Sequence, residues 1–294
     1  MNKGLSGSQD RVAFEALEPR LLLDGNVTVK VTKGGDLKVT GDGAANDIWI
    51  DQGADPSQFV IRGDAGTTVN GQAQVTVDGV RDDIIVNLKG GNDELTVWAL
   101  TVPDMLKVKT GSGDDVIGVY HTTVQGRTVI LTRSGNDEVN FSSSHLEGRC
   151  NVTTHGGADD VSFYKSSTYR LVNVKTGGGE DEVWLGHSAE FGAKVKVKTG
   201  AGKDNVWLSD STFWGPCVVS MGGAFDWLTG SDSTLHAKLK ATLGGGGDTV
   251  YWGTCNTVVG GKIHGQGGAD DYLDTGGNTG VPLTLKSFMW IDAL

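Results

Sequence analysis

The feature that most restricts this chain is a repeat. Aspartates that stand two residues after a glycine or alanine and two before an apolar residue or tyrosine fall at Asp93, Asp115, Asp137, Asp159, Asp181, Asp204, Asp226, Asp248 and Asp270. Neighbours in this series are 22 residues apart, except for Asp181 and Asp204, which are 23 apart, so one inserted residue is the only slip. A unit of that length cannot bury an inward face by itself and has to stack on its neighbours.

The residues around each aspartate say what the unit is made of. In register, the copies begin at Val86, Val108, Ile130, Val152, Val174, Val197, Val219, Ala241 and Ile263, all apolar. Two residues past each aspartate comes Leu95, Ile117, Val139, Val161, Val183, Val206, Leu228, Val250 or Tyr272, and four past it another apolar side chain in most copies. Alternation with a period of two means strand. Each copy therefore holds a strand across its boundary, a glycine turn, a second strand from the aspartate onward and a shorter apolar segment near Val102, Val124, Leu146, Phe213 and Leu235.

The fold expected is all-β, a parallel β-helix solenoid with about 22 residues per coil, right-handed as parallel connections are by default. A β-roll would need about 18 residues per turn and aspartate motifs on both edges, and an antiparallel barrel would not hold the aspartates in constant register. Residues 86–284 form the nine coils, a rod roughly 40 Å long at the usual strand spacing. Residues 27–85 keep strand patterns and one degenerate motif, DGAANDIWI at 42–50, and are expected to cap one end, with 285–294 covering the other. Residues 1–26 form an N-terminal tail.

Composition narrows the function classes. A net charge of −11 argues against nucleic acid as a partner, since phosphate binding needs a basic footprint. No run of eighteen apolar residues exists, so no helical membrane span is expected. Cys150 and Cys217 share a repeat position three coils apart, too far to bridge, and Cys255 lies elsewhere on its coil, which suits neither a disulfide framework nor a zinc site.

Two segments resemble known families. FEALEPRLLLDG, through Leu17, Glu18, Pro19, Arg20, Leu22 and Leu23, resembles the LEPR-XLL motif near the start of large, repetitive, secreted or surface bacterial proteins, and implies an extracellular or cell-surface setting. GGGEDEVWL, GAGKDNVWL and GGGGDTVYW resemble half of the haemolysin-type (RTX-like) calcium nonapeptide, with one motif per coil in place of tandem nines. That resemblance implies Ca²⁺ at Asp93, Asp115, Asp137, Asp159, Asp181, Asp204, Asp248 and Asp270.

The charges pose their own problem. Stacked carboxylates about 5 Å apart repel by roughly 1 kcal/mol in water and 3 at an effective dielectric of 20. Glu94, Asp114, Glu138, Asp160, Glu180, Glu182 and Asp271 flank the row, and only Lys203 opposes it. Two readings offset this repulsion: bound calcium, which takes carboxylate and carbonyl oxygens, or backbone N–H groups donated to each carboxylate without a metal. Beside this acidic edge, Lys107, Lys109, Lys175, Lys194, Lys196, Lys198, Lys238, Lys240 and Lys262 make an outward basic stripe, suited to lateral self-association or simply to a soluble face.

Three further sets carry candidate chemistry. Tyr164, Tyr169, Trp184, Phe191, Trp207 and Trp214 are expected outside, with the Trp184 and Trp207 rings side by side as a platform for a polysaccharide or cell-surface glycan. His187, Asp210 and Asp232 occupy one position of successive coils and form the sharpest constellation for an enzyme, with two carboxylates about 5 Å apart that could serve as acid and nucleophile at a glycosidic bond. Thr122, Ser144, Ser166, Ser188, Ser211 and Ser233 are expected to stack inside at one corner, and Thr110, Thr132, Thr154, Thr176 and Thr199 at another. The reading that follows is a secreted or surface structural or adhesive β-helix, calcium-stabilised and glycan-binding. The alternative is a polysaccharide lyase or hydrolase on the same scaffold.

Overall fold

The structure is a computed structural model that describes residues 25–257, 259–267, 271–274, 277–288 and 290–293. The LEPR-XLL-like segment and Asp270 lie outside the described residues.

Every regular element among the described residues is a strand. A representative coil runs Leu106–Ser112, then Val116–Tyr120, then Thr123–Val124. The next runs Thr128–Ser134, Glu138–Ser142 and His145–Leu146 directly above it. All pairings between them are parallel and in register, with Val108 against Ile130, Ile117 against Val139 and Val124 against Leu146. Each of the nine predicted coil starts, from Val86 to Ile263, pairs with the next in one continuous sheet, which we call the leading sheet. The strands that follow the aspartates form a second sheet, which we call the trailing sheet. The protein is a parallel β-helix with a coil of about 22 residues.

Alternation fixes the inside. Leu95, Val97, Ile117, Val119, Val139, Phe141 and their counterparts are fully buried, as are Val86, Val108 and the other coil starts, so the core is a column of apolar layers. The corner between the sheets needs glycine where the chain passes close over the coil before it. Gly179 has φ +141°, and a Cβ there would lie 1.8 Å from the Gly157 carbonyl oxygen. Only Ala224, with φ 108°, replaces glycine at that corner.

The strict period is lost in residues 25–85 for a visible reason. Asp47–Gln52 pairs antiparallel with Phe59–Asp64, which pairs antiparallel with Gln74–Val77, so hairpins replace coils there. The end still docks in register, because Leu37–Thr40 pairs parallel with Ile84–Asn87 and Asp47–Gln52 with Glu94–Trp98. No helix among the described residues is long and apolar enough to cross a membrane.

Candidate functional site: a buried aspartate ladder and an aromatic outer face

The aspartate row does not form an outer edge. Asp93, Asp115, Asp137, Asp159, Asp181, Asp204, Asp226 and Asp248 are 0 to 1% exposed and point into the coil. Each Oδ1 accepts the backbone N–H of the aspartate one coil earlier, at 2.9 Å from Asp93 to Asp115 and 3.0 to 3.1 Å for the pairs from Asp115 to Asp248. Asn46, in the degenerate motif, occupies the ladder position at the N-terminal end and donates its N–H to Asp93 Oδ1 at 2.9 Å. Repulsion is thus opposed by one charge-assisted backbone bond per coil. These donors come from the neighbouring coil, and Asp226 adds a local backbone one, its Oδ2 accepting the Gly222 N–H at 3.2 Å.

In two coils an inward threonine supplies a second donor. Thr154 donates to Asp159 Oδ2 at 2.5 Å and Thr176 to Asp181 Oδ2 at 2.6 Å. Thr110, Thr132 and Thr199 stand five residues before Asp115, Asp137 and Asp204, and their proximity holds those carboxyls down against burial, but Thr110 Oγ1, Thr199 Oγ1 and the Oδ2 atoms of Asp115, Asp137 and Asp204 are buried without a hydrogen-bond partner. Burial raises all seven from Asp93 to Asp226. It pushes Asp137 and Asp181 up to about 6. Asp93 and Asp226 go up to about 7, and both have an apolar residue, Leu88 or Met221, where the threonine belongs.

This donor set bears on calcium. Ca²⁺ takes six to eight oxygens, whereas each ladder Oδ1 from Asp93 to Asp226 faces a backbone N–H in a closed interior. Asp159 and Asp181 also face a threonine O–H, and the Oδ2 atoms of Asp93, Asp115, Asp137 and Asp204 are buried without a donor. As arranged, these residues suit carboxyls held by protein donors better than a hard cation. Three carboxylates that do converge are those of Asp36, Asp82 and Asp83 in the N-terminal region, within 4.8 Å of one another. Asp83 Oδ1 accepts the Met105 N–H there, and Asp36 faces Lys38 at 3.7 Å.

The acids on the outer face are a different set. Asp160 sits between Glu138 and Glu182 in register, and partial burial followed by those two charges pushes it up to about 6. Asp47 is likewise pushed up to about 6 by burial and then by Glu94 and Asp64.

On the trailing sheet, beside this acidic column, the aromatic platform is built as its register implies. Trp184 pairs with Trp207, and their rings stack at 4.0 Å with 13° between planes. His187 lies over Trp184 at 6.3 Å and beside exposed Tyr164 at 5.0 Å. A groove of 860 Å³ runs along the same sheet past Glu180, Glu182, Lys203, Asn205, Phe225 and Trp227. Phe225 and Trp227 are 62 and 58% exposed. Sequence reasoning missed them, although they flank Asp226 and alternation alone turns both outward.

Phe191 corrects the expected set. It is fully buried, stacked on Phe213 at 4.9 Å and edge-on to Phe163 at 5.8 Å. The inserted residue of the long coil is absorbed between Gly186 and Ala189, where the register shifts. Ala189 therefore takes the inward place opposite Ser211, and Ser188 is exposed outside the hydroxyl column, a second correction. The rest of that column holds, with Ser144 and Ser166 each accepting the N–H of the residue one coil earlier at 3.1 Å. Tyr169 and Trp214 are exposed but stand on another corner, where Trp214 stacks on His236 at 4.0 Å.

His187, Asp210 and Asp232 all have left-handed φ, between 49° and 54°, at the bend after the trailing strand. Asp210 and Asp232 share a small pocket with Ser188 and Glu190, and Ser188 donates to Asp210 Oδ2 at 3.1 Å. His187 is not part of that pocket; its ring belongs to the aromatic face. Comparison with protein-family models, with curated proteins and with solved structures finds nothing that matches this chain, so the residues themselves carry the functional reading.

Proposed function

We propose that this β-helix is a rigid, non-enzymatic scaffold of the cell surface or extracellular space that presents its outer aromatic face to a glycan. The observation that carries the proposal is the Trp184–Trp207 stack, continued by Tyr164 on one side and by the Trp227 groove on the other. Stacked on each other along a stiff axis, the indoles offer their outer edges as an apolar strip to a sugar chain, and the groove adds Glu182 and Asn205 as hydrogen-bonding partners for hydroxyls. The surface setting is supported by the resemblance of LEPRLLL to the motif of exported repeat proteins.

The test is binding to a panel of neutral polysaccharides. Trp184→Ala and Trp207→Ala are each expected to weaken the bound member about tenfold, the equivalent of about 1.4 kcal/mol, with the melting temperature nearly unchanged because both rings lie outside the core. Binding that survives both changes rejects the aromatic face. Turnover of any panel member, abolished by Asp210→Asn, would replace the scaffold with the polysaccharide-active enzyme.

A further inference from the structure

The leading sheet carries a charge opposite to that of the molecule. Lys175 pairs with Lys198 across adjacent strands, and Lys196, Lys240 and Lys262 stand in the neighbouring column, with only Val218 interrupting. Lys194 and Lys238 line the edge where the chain enters this sheet. Seven of the chain's 25 Lys and Arg residues thus gather on five coils of a protein with net charge −11. No acidic residue occupies an outward position of the leading sheet over these coils, and among the described residues none of the seven lysines has a carboxylate partner.

The edge of this patch is aromatic. Tyr169, Gly192, Trp214 and His236 share one position of successive coils. Tyr169 and Trp214 are 58 and 54% exposed, and the Trp214 and His236 planes are 4° apart. Gly192 leaves the space between Tyr169 and Trp214 without a side chain, two residues before Lys194. Rings that offer a stacking face and ammonium groups beside them make a two-part receptor.

We propose that the basic leading sheet and its aromatic edge, from Tyr169 to Lys262, bind a linear acidic polysaccharide whose sugars carry carboxylates. Sugar rings stack on Tyr169 and Trp214 while their carboxylates meet the lysines. The spacing favours such a polymer over nucleic acid. Duplex DNA carries one charge per about 1.7 Å, whereas lysines in these columns recur at multiples of about 4.8 Å, closer to one charge per sugar. This surface is separate from the Trp184–Trp207 face, and the two are lost independently.

The experiment titrates the full chain with polygalacturonate, with its methyl ester and with duplex DNA, at 50 and 300 mM NaCl. Polygalacturonate is expected to bind at low salt and to weaken at least tenfold at high salt, while the uncharged ester binds at least tenfold less. Lys196→Glu with Lys198→Glu is expected to weaken polygalacturonate at least tenfold, and Trp214→Ala about fivefold, with melting temperatures unchanged. Trp184→Ala is expected to leave it unaffected, so failure here and failure of the neutral-glycan face are distinguishable. Equal binding of ester and acid overturns the proposal, as does DNA bound as tightly as polygalacturonate. It is also overturned if sedimentation shows that these lysines hold a second copy of the chain in place of the polymer.

Discussion

The melting temperature is expected to be on the order of 10 °C higher at pH 5 than at pH 8, measured by calorimetry at constant ionic strength with EDTA present. The cause is the ladder. A carboxyl whose pKa is raised by folding binds its proton more tightly in the folded chain, so its contribution is complete below the unfolded value near 4 and is lost as pH climbs through the folded value. For Asp137 and Asp181 that loss is complete once pH passes about 6, and for Asp93 and Asp226 once it passes about 7. Each unit of displacement corresponds to about 1.4 kcal/mol. Leaving out the part already lost between the unfolded value and pH 5, and allowing for relaxation around the charged form, leaves about 5 kcal/mol, and 1 kcal/mol moves the midpoint of a chain this size by about 2 °C. A midpoint that rises from pH 5 to pH 8 in EDTA would reject the assignment of raised values to these buried groups.

Two companions separate charge from hydrogen bonding. Asp181→Asn keeps an oxygen for the Asp159 N–H and offers an amide to Thr176, so it is expected to raise the midpoint at pH 8 and to raise it less at pH 5. Asp181→Leu strands the buried Asp159 N–H and is expected to cost about 2 kcal/mol at pH 5, and less at pH 8, where the charge it removes is itself destabilising. Millimolar Ca²⁺ at pH 8 is the third arm. A midpoint restored to its pH 5 value would put the ion on the carboxylates after all, and no shift would remove calcium from the account.

The direction of the ladder was legible in the sequence, in a place where charge argued against it. Asp93, Leu95 and Val97 differ by two, so the alternation that buries the leucine and the valine buries the aspartate as well. Reading the row as an outer edge gave the carboxylate's cost in an apolar medium more weight than the period. Burial is tolerated because each new coil delivers an N–H at the right height, a donor that becomes visible only once the coils are stacked. The register itself needed no structure, since the apolar starts from Val86 to Ile263 fall in phase at a constant count. What stayed hidden was the site at which the long coil stores its extra residue. Counting forward from Asp181 puts Phe191 outside, and counting back from Val195 puts it inside. Only the bulge between Gly186 and Ala189 decides between them.

Phe191 and Trp184, on the inner and outer faces of one strand though only seven residues apart in sequence, should therefore respond oppositely to truncation. Phe191→Ala is expected to cost about 3 to 5 kcal/mol by denaturant unfolding, the range for emptying a buried phenylalanine site. Its ring is fully enclosed and fills the space between Phe163 and Phe213, whose own positions are fixed by strand pairing, so the cavity has little freedom to collapse. Trp184→Ala removes a ring that rests on Trp207 at the surface, and its expected cost is below about 1 kcal/mol. A Phe191→Ala protein of nearly wild-type stability that has lost its glycan would return Phe191 to the outer face and move the bulge out of the Gly186–Ala189 bend. A strongly destabilised one that still binds when folded keeps the aromatic column inside and leaves recognition to the tryptophans.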